Sequence, residues 1–136
     1  MIIFYTGEDK NAIQEANDLK KIINRNVKLV KDPDKETVKK EVLGANSVHI
    51  IAHGKDDQII FKESKINGFD FCHLLPDNLS NVSFSVCRSG EIKKDSEYPI
   101  EHISWVHTLI EKNTRKILTH SWDISQNASR SLALHY

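Results

Sequence analysis

Apolar runs of strand length alternate with segments of helical periodicity along the chain, and this alternation restricts the fold more than any other feature. Runs typical of buried strands lie at residues 2–5, 27–30, 47–52, 82–86 and 117–119. Between them, apolar residues recur at the spacing of one helix face. Parallel strands that are joined by helices form a sheet with both faces covered. We therefore predict an α/β three-layer sandwich, a mostly parallel sheet of about five strands with helices on both faces.

The remaining segments predict where helices begin and end. Asp34 has the residue type and position of a helix N-cap, and Gly44 those of the first residue after a helix. Residues 55–67 contain a short apolar run and a turn, which together predict a small antiparallel hairpin. Further helices are predicted over 69–75, over 100–110, and from residue 123 or 125 to the C-terminus.

Size, charge and cysteine content limit the classes of function. The chain has 136 residues, which suits a single domain over residues 1–136, and its 19 basic and 19 acidic side chains cancel. This balance points neither to nucleic acid nor to a membrane surface, and the N-terminal apolar run is too short for a signal peptide. Two cysteines are too few for a disulfide framework, and zinc-site spacing is missing. We therefore expect a cytoplasmic protein without a metal or a glycine-rich phosphate loop.

Two candidate catalytic side chains follow neighbouring apolar runs. His53 ends the run that starts at residue 48 and precedes Gly54, and Cys87 ends the run that starts at residue 82. The carboxyl ends of parallel strands meet at one edge of a sheet, where ligands bind. Adjacent strands are about 4.8 Å apart, so a thiol and an imidazole on neighbouring strands can act as nucleophile and base. The backbone N–H of Gly54 is a candidate oxyanion donor.

Each of these residues also has a purely structural interpretation. A cysteine after an apolar run is often a small buried hydrophobe, and His53 can be a hydrogen-bonded core or turn histidine. His49 shares a strand face with His53, as a packed strand histidine or as a partner of the catalytic pair. Cys72 lies in a predicted short helix and is interpreted as a core residue. Spacing alone leaves both interpretations of the His53 and Cys87 pair open.

Four blocks of the chain, in order, resemble the CHAT family of caspase-fold cysteine peptidases. They are residues 37–54 with His53-Gly54, residues 59–70 with the hairpin and next helix, residues 84–91 with Cys87, and residues 115–128 with the Trp122 turn. The resemblance implies a caspase-like sandwich and a cysteine endopeptidase that forms a thioester acyl-enzyme. It implies that His53 is the general base or acid and Cys87 the nucleophile. It also implies an oxyanion hole from the backbone N–H groups of Gly54 and Cys87, and no metal or organic cofactor.

The resemblance also implies a substrate cleft and partners. The candidate cleft residues are Ser85, Arg88, Glu91, Trp122 and Asp123. We expect a protein or peptide substrate, and activation by a protein partner or by self-association, because the chain ends where caspase folds continue to a further strand. Two other functions stay open. One is a catalytically weak or inactive caspase-like module that binds a protein in a signalling or defence assembly. The other is a flavodoxin-like binding domain, which the missing phosphate loop disfavours.

Overall fold

The computed structural model describes residues 1–23, 26–55, 57–88 and 100–122, with the backbone alone at 87–88, 100–104 and 119–122. Within these residues the chain forms seven strands and four helices. In order they are β1 (Ile2–Tyr5), α1 (Lys10–Ile23), β2 (Lys28–Lys31), α2 (Lys35–Glu41), β3 (Ser47–Lys55), β4 (Gln58–Ile60), β5 (Lys65–Asn67), α3 (Gly68–Leu74), β6 (Asn81–Arg88), α4 (Ile100–Glu111) and β7 (Lys116–Trp122). The helix predicted after residue 123 lies outside the described residues.

All seven strands belong to one sheet, in which five strands run parallel. The parallel strands lie in the order β2-β1-β3-β6-β7. β4 and β5 form the predicted hairpin, and β4 pairs antiparallel with the end of β3. Because β6 pairs with β3 along residues 47–54, β1 and β4 share the other edge of β3 in succession. The predicted α/β architecture with a mostly parallel sheet is confirmed.

The ends of α2 show how local side-chain and backbone chemistry sets the length of a helix. Asp34 is the N-cap, as predicted, and its carboxylate accepts the Thr37 N–H at 2.8 Å. At the other end the C-cap is Val42, and Gly44 has a positive φ of 80°. Glycine adopts a positive φ without steric cost. The helix ends one residue earlier than predicted, so Gly44 is the second residue after the C-cap instead of the first.

Helices cover both faces of the sheet. α2, α3 and α4 pack on one face, against the buried apolar residues of β1, β3 and β6. α1 packs on the opposite face, where Ala12 and Ala16 contact the layer that contains Ile3 and Ile51. The small side chains on α1 let this helix approach the sheet closely. None of the four described helices is both long and apolar enough to cross a membrane.

Candidate functional site

The carboxyl ends of β3 and β6 bring the two candidate catalytic residues into register. His53 of β3 pairs with Cys87 of β6, and Cys87 pairs on its other side with Trp122 of β7. Both strands are central, because β1 and β4 flank β3 and β7 flanks β6. The expected neighbourhood of the two strands is therefore confirmed, at the edge where doubly wound sheets bind their ligands.

His53 is partly buried beside the start of α1. Its Nε2 lies 3.7 Å from Oδ2 of Asp9, and the two side chains are 23% and 22% exposed. Its Nδ1 is buried and has no hydrogen-bond partner among the described side chains. One nitrogen of the ring therefore faces a carboxylate, and the other lies inside the protein.

Gly54 lies inside β3. It pairs with Ile59 on one side and with Arg88 on the other. A Cβ at this position would lie 2.5 Å from Cγ1 of Val86, so the glycine is needed for close packing of the neighbouring strand. Paired strands flank the backbone of Gly54 and, in the same way, that of Cys87. Both residues therefore lie in the paired part of the sheet, and the oxyanion hole at their N–H groups stays a prediction.

The candidate cleft residues lie in different environments. Ser85 is fully buried, and its hydroxyl donates to Oε1 of Glu15 at 3.2 Å. It is an interior residue, contrary to the expectation that it lines an exposed cleft. Arg88 and Trp122 are the last residues of β6 and β7, at the carboxyl edge of the sheet. The other two candidates, Glu91 and Asp123, lie outside the described residues.

A buried polar network lies between α1 and the sheet, on the strand that also carries His53. Nε2 of His49 lies 3.0 Å from Oε2 of Glu15, and Nδ1 of His49 is hydrogen-bonded to the hydroxyl of Ser83. Glu15 is fully buried, and its other carboxylate oxygen accepts from Ser85. The network makes His49 an internal, hydrogen-bonded histidine, which is one of the two interpretations that its strand position left open.

Two acidic residues beside these histidines, Asp9 and Glu15, are not singled out by the sequence patterns. A signal for Glu15 exists, because it interrupts the buried face that Ala12, Ala16 and Leu19 form on α1. A carboxylate on such a face is rarely buried without a partner. Asp9 stands between β1 and α1, the position of an N-cap residue. Neither signal identifies which histidine the carboxylate contacts, because the contacts of Asp9 and Glu15 join distant parts of the chain.

The second thiol, Cys72 of α3, lies in the core and away from the site, as predicted. Its side chain is fully buried. Burial raises the pKa of Cys72 to about 12, an effect that the positive charge of Lys112 opposes and the negative charge of Asp57 increases. The Cys72 thiol is therefore protonated at neutral pH and is a poor nucleophile.

Ionisation of Cys72 should make the protein less stable at alkaline pH. The unfolded chain releases this proton near pH ~8.5, whereas the folded protein keeps it until the pKa of about 12. Between these values the unfolded state binds fewer protons, so the free energy of unfolding falls as the pH rises. Between about pH 7 and about pH 10, the free energy of unfolding should fall by about 2 kcal/mol less in Cys72→Ala than in the wild type. Urea unfolding of both proteins measures this, and equal losses would contradict the assignment.

The loop after β1 determines what can bind between the ends of β1 and β3. Asp32, at positive φ, accepts the N–H of Gly7 at 2.9 Å and that of Lys62 at 3.1 Å. Glu8 and Asp9 add two further carboxylates to this strand end, which also carries Lys10 and Lys31. These carboxylates take backbone donors that a phosphate needs and repel its charge. In the part of the chain that the structure describes, no three His, Cys, Asp or Glu side chains are grouped to hold a metal ion.

The chain is similar in fold to a flavodoxin. No family model matches it, and no curated protein matches it at a significant level. Among solved structures, the two-electron reduced flavodoxin of Megasphaera elsdenii aligns with a TM-score of 0.53 and 12% sequence identity. The alignment covers 96% of this chain and 94% of the flavodoxin. The order of the five parallel strands is also that of flavodoxins.

Flavodoxin binds flavin mononucleotide at the switch point between the first and third strands of its sheet. The described residues at the end of β1 do not fit the phosphate of that group. Asp32 already accepts the backbone N–H groups of Gly7 and Lys62, and Glu8 and Asp9 add negative charge. The hairpin also occupies the edge of β3 directly after β1. A phosphate at the end of β1 would be repelled by these carboxylates.

The flavodoxin likeness overturns the resemblance to the CHAT family, and the caspase-like description of the sandwich with it. The blocks that suggested this family place His53-Gly54 and Cys87 at the ends of apolar strands. Parallel α/β sheets in general carry their functional residues at carboxyl strand ends, so such blocks do not distinguish one fold family from another. The CHAT assignment is wrong, and the fold of this chain is flavodoxin-like.

Proposed function

We propose that the protein is a cysteine hydrolase that cleaves peptide bonds, with Cys87 as nucleophile and His53 as general base and acid. The observation that carries the proposal is the register pairing of these two residues on neighbouring central strands. Paired positions of adjacent parallel strands share a face of the sheet and lie about 4.8 Å apart, within reach of a thiol–imidazole hydrogen bond. Both positions lie at carboxyl strand ends, where doubly wound sheets bind ligands.

The proposed reaction has two balanced steps. In the first, His53 takes the thiol proton, and the sulfur of Cys87 attacks the carbonyl carbon of the peptide. The C–N bond breaks, the leaving amine takes the proton from the imidazolium, and a thioester remains. In the second, His53 takes a proton from water while the hydroxyl attacks the thioester carbonyl. The C–S bond breaks, the new carboxylic acid leaves, and the proton returns to the thiol.

The surroundings of the two residues support these roles. His53 is 23% exposed, so that one side of the ring is accessible to a substrate. Cys72 does not compete as nucleophile, because its buried thiol is protonated at neutral pH. We place the enzyme in the cytoplasm, because a reducing compartment keeps a catalytic thiol unpaired.

A low dose of iodoacetamide near neutral pH should label Cys87 and leave Cys72 unmodified. A thiolate beside an imidazole is the reactive form, whereas Cys72 is buried and protonated. Mass spectrometry of the digested protein identifies the labelled cysteine. Cys72→Ala is the matched control and should be labelled at the wild-type rate. Preferential labelling of Cys72 in the native protein would reject Cys87 as the nucleophile.

Hydrolysis itself is tested with a pooled peptide library over a wide range of enzyme concentration. Cleavage that iodoacetamide abolishes supports the peptidase. A specific activity that rises with enzyme concentration would indicate the activation by self-association that we propose for this chain. Selective labelling of Cys87 without any cleavage, alone or with an added protein partner, would instead favour a module that acts by protein–protein interaction.

A further inference from the structure

We propose that Asp9 is the positioning carboxylate of His53, so that the catalytic unit is a triad of Asp9, His53 and Cys87. The inference rests on the proposed function and adds to it the group that orients the imidazole. Its basis is the approach of Oδ2 of Asp9 to Nε2 of His53, at 3.7 Å. Both side chains are mostly shielded from water, with 22% and 23% of their surfaces exposed, which preserves much of the electrostatic interaction.

Backbone hydrogen bonds hold Asp9 in place from two directions. Asp9 acts as the N-cap of α1, because its Oδ1 accepts the N–H of Asn11 at 2.7 Å and its carbonyl accepts the N–H of Ile13 at 3.1 Å. On the sheet side, the N–H of Thr6 donates to the carbonyl of Ile51 at 2.9 Å, just before the catalytic histidine. The short loop between these anchors leaves Oδ2 of Asp9 as the carboxylate oxygen beside the imidazole.

Asp9 is also the carboxylate that remains available to His53. Glu15 is the other acidic side chain on the sheet-facing side of α1, and it is fully buried. Its two oxygens are taken by His49, at 3.0 Å, and by Ser85, at 3.2 Å. His49 therefore contacts Glu15 of α1, whereas His53 contacts Asp9 at the N-cap of the same helix.

A carboxylate beside one nitrogen of an imidazole ring determines whether the other nitrogen carries the proton of the neutral ring. Asp9 favours the tautomer with the proton on Nε2, which leaves Nδ1 with the lone pair that accepts the thiol proton. Nδ1 of His53 is the buried nitrogen, without a hydrogen-bond partner among the described side chains. After proton transfer, the charge of Asp9 stabilises the imidazolium. A contact of 3.7 Å is long for a hydrogen bond, and such catalytic contacts often shorten when substrate binds.

Asp9→Asn tests this role, because asparagine caps a helix as well as aspartate does. With the side-chain oxygen still on the N–H of Asn11, the amide group replaces Oδ2 and presents a donor to Nε2 of His53. The ¹⁵N chemical shifts of the neutral ring should therefore change from the Nε2–H form in the wild type to the Nδ1–H form in the variant. The kcat for peptide hydrolysis should fall at least about a hundredfold, with KM unchanged.

Glu8→Gln is the matched control, because it removes an exposed charge one residue away. It should leave the ring tautomer and kcat unchanged, and Asp9→Glu should restore part of the activity that Asp9→Asn loses. An Nε2–H ring in Asp9→Asn would overturn the positioning role, whatever the kinetics. A change of tautomer in a protein that cleaves no peptide of the library would support the Asp9 contact and reject the proposed function instead.

Discussion

Replacing Cys87 with alanine should reduce kcat/KM for peptide cleavage by at least about a thousandfold, and His53→Ala should have the same effect. A nucleophile and its base act as a unit, so the double variant should lose little more than either single variant. The register pairing of the two positions is what makes this unit possible. Steady-state kinetics on one peptide selected from the library give the comparison, and thermal unfolding shows that each variant folds.

Two control variants remove the same chemical groups elsewhere in the chain. Cys72→Ala removes the buried thiol of α3, and His73→Ala removes an exposed imidazole that lies 4.3 Å from the ring of Phe69. Both should keep the wild-type kcat/KM. Losses that add in the double variant, with substantial activity left in each single one, would place catalysis at another site.

Replacing Glu15 with leucine should lower the free energy of unfolding by about 3–5 kcal/mol. The carboxylate is fully buried, and it bonds to His49 and to Ser85. Its removal takes the carboxylate partner from Nε2 of His49 and from the Ser85 hydroxyl, both of which lie beneath α1. Glu15→Gln keeps an acceptor of the same shape and should cost about 1–2 kcal/mol. Urea denaturation followed by circular dichroism measures both values.

The surface substitution Glu36→Gln serves as a control, because this glutamate is exposed on α2. It should change the free energy of unfolding by less than about 0.5 kcal/mol. A Glu15→Leu variant as stable as the wild type would show that apolar contacts alone hold α1 on the sheet. A destabilised variant would show that the network holds α1 on the sheet, and this helix carries Asp9 at its N-terminus.

The elements of the fold follow largely from local pattern. The alternation of apolar runs and helix-period segments predicts all five parallel strands, and the turn-bounded run after residue 55 predicts the hairpin. Asp34 caps its helix as predicted, because the interaction of its carboxylate with the Thr37 N–H spans three residues. Local pattern does not predict that β3 continues to Lys55, since those last residues are extended because β4 and β6 pair with them.

The family resemblance fails for a related reason. The short blocks around His53 and Cys87 indicate only that a polar residue follows a buried strand. The same pattern occurs in unrelated parallel α/β proteins. The relation that defines the fold is the order and register of strands over the whole sheet. No short block of sequence contains the order and register of the strands.

From its amino-acid order alone, this chain has an α/β architecture and two candidate catalytic side chains at strand ends, because periodicity and composition act within a few residues of each position. The tertiary structure decides which groups meet. Glu15 and His49, 34 residues apart, are in contact across the α1 interface, and Asp9 at the start of α1 contacts His53 of β3. The burial of Ser85 and the need for glycine at position 54 arise in the same way. These contacts gain their free energy only after the sheet has assembled, so no local propensity encodes them.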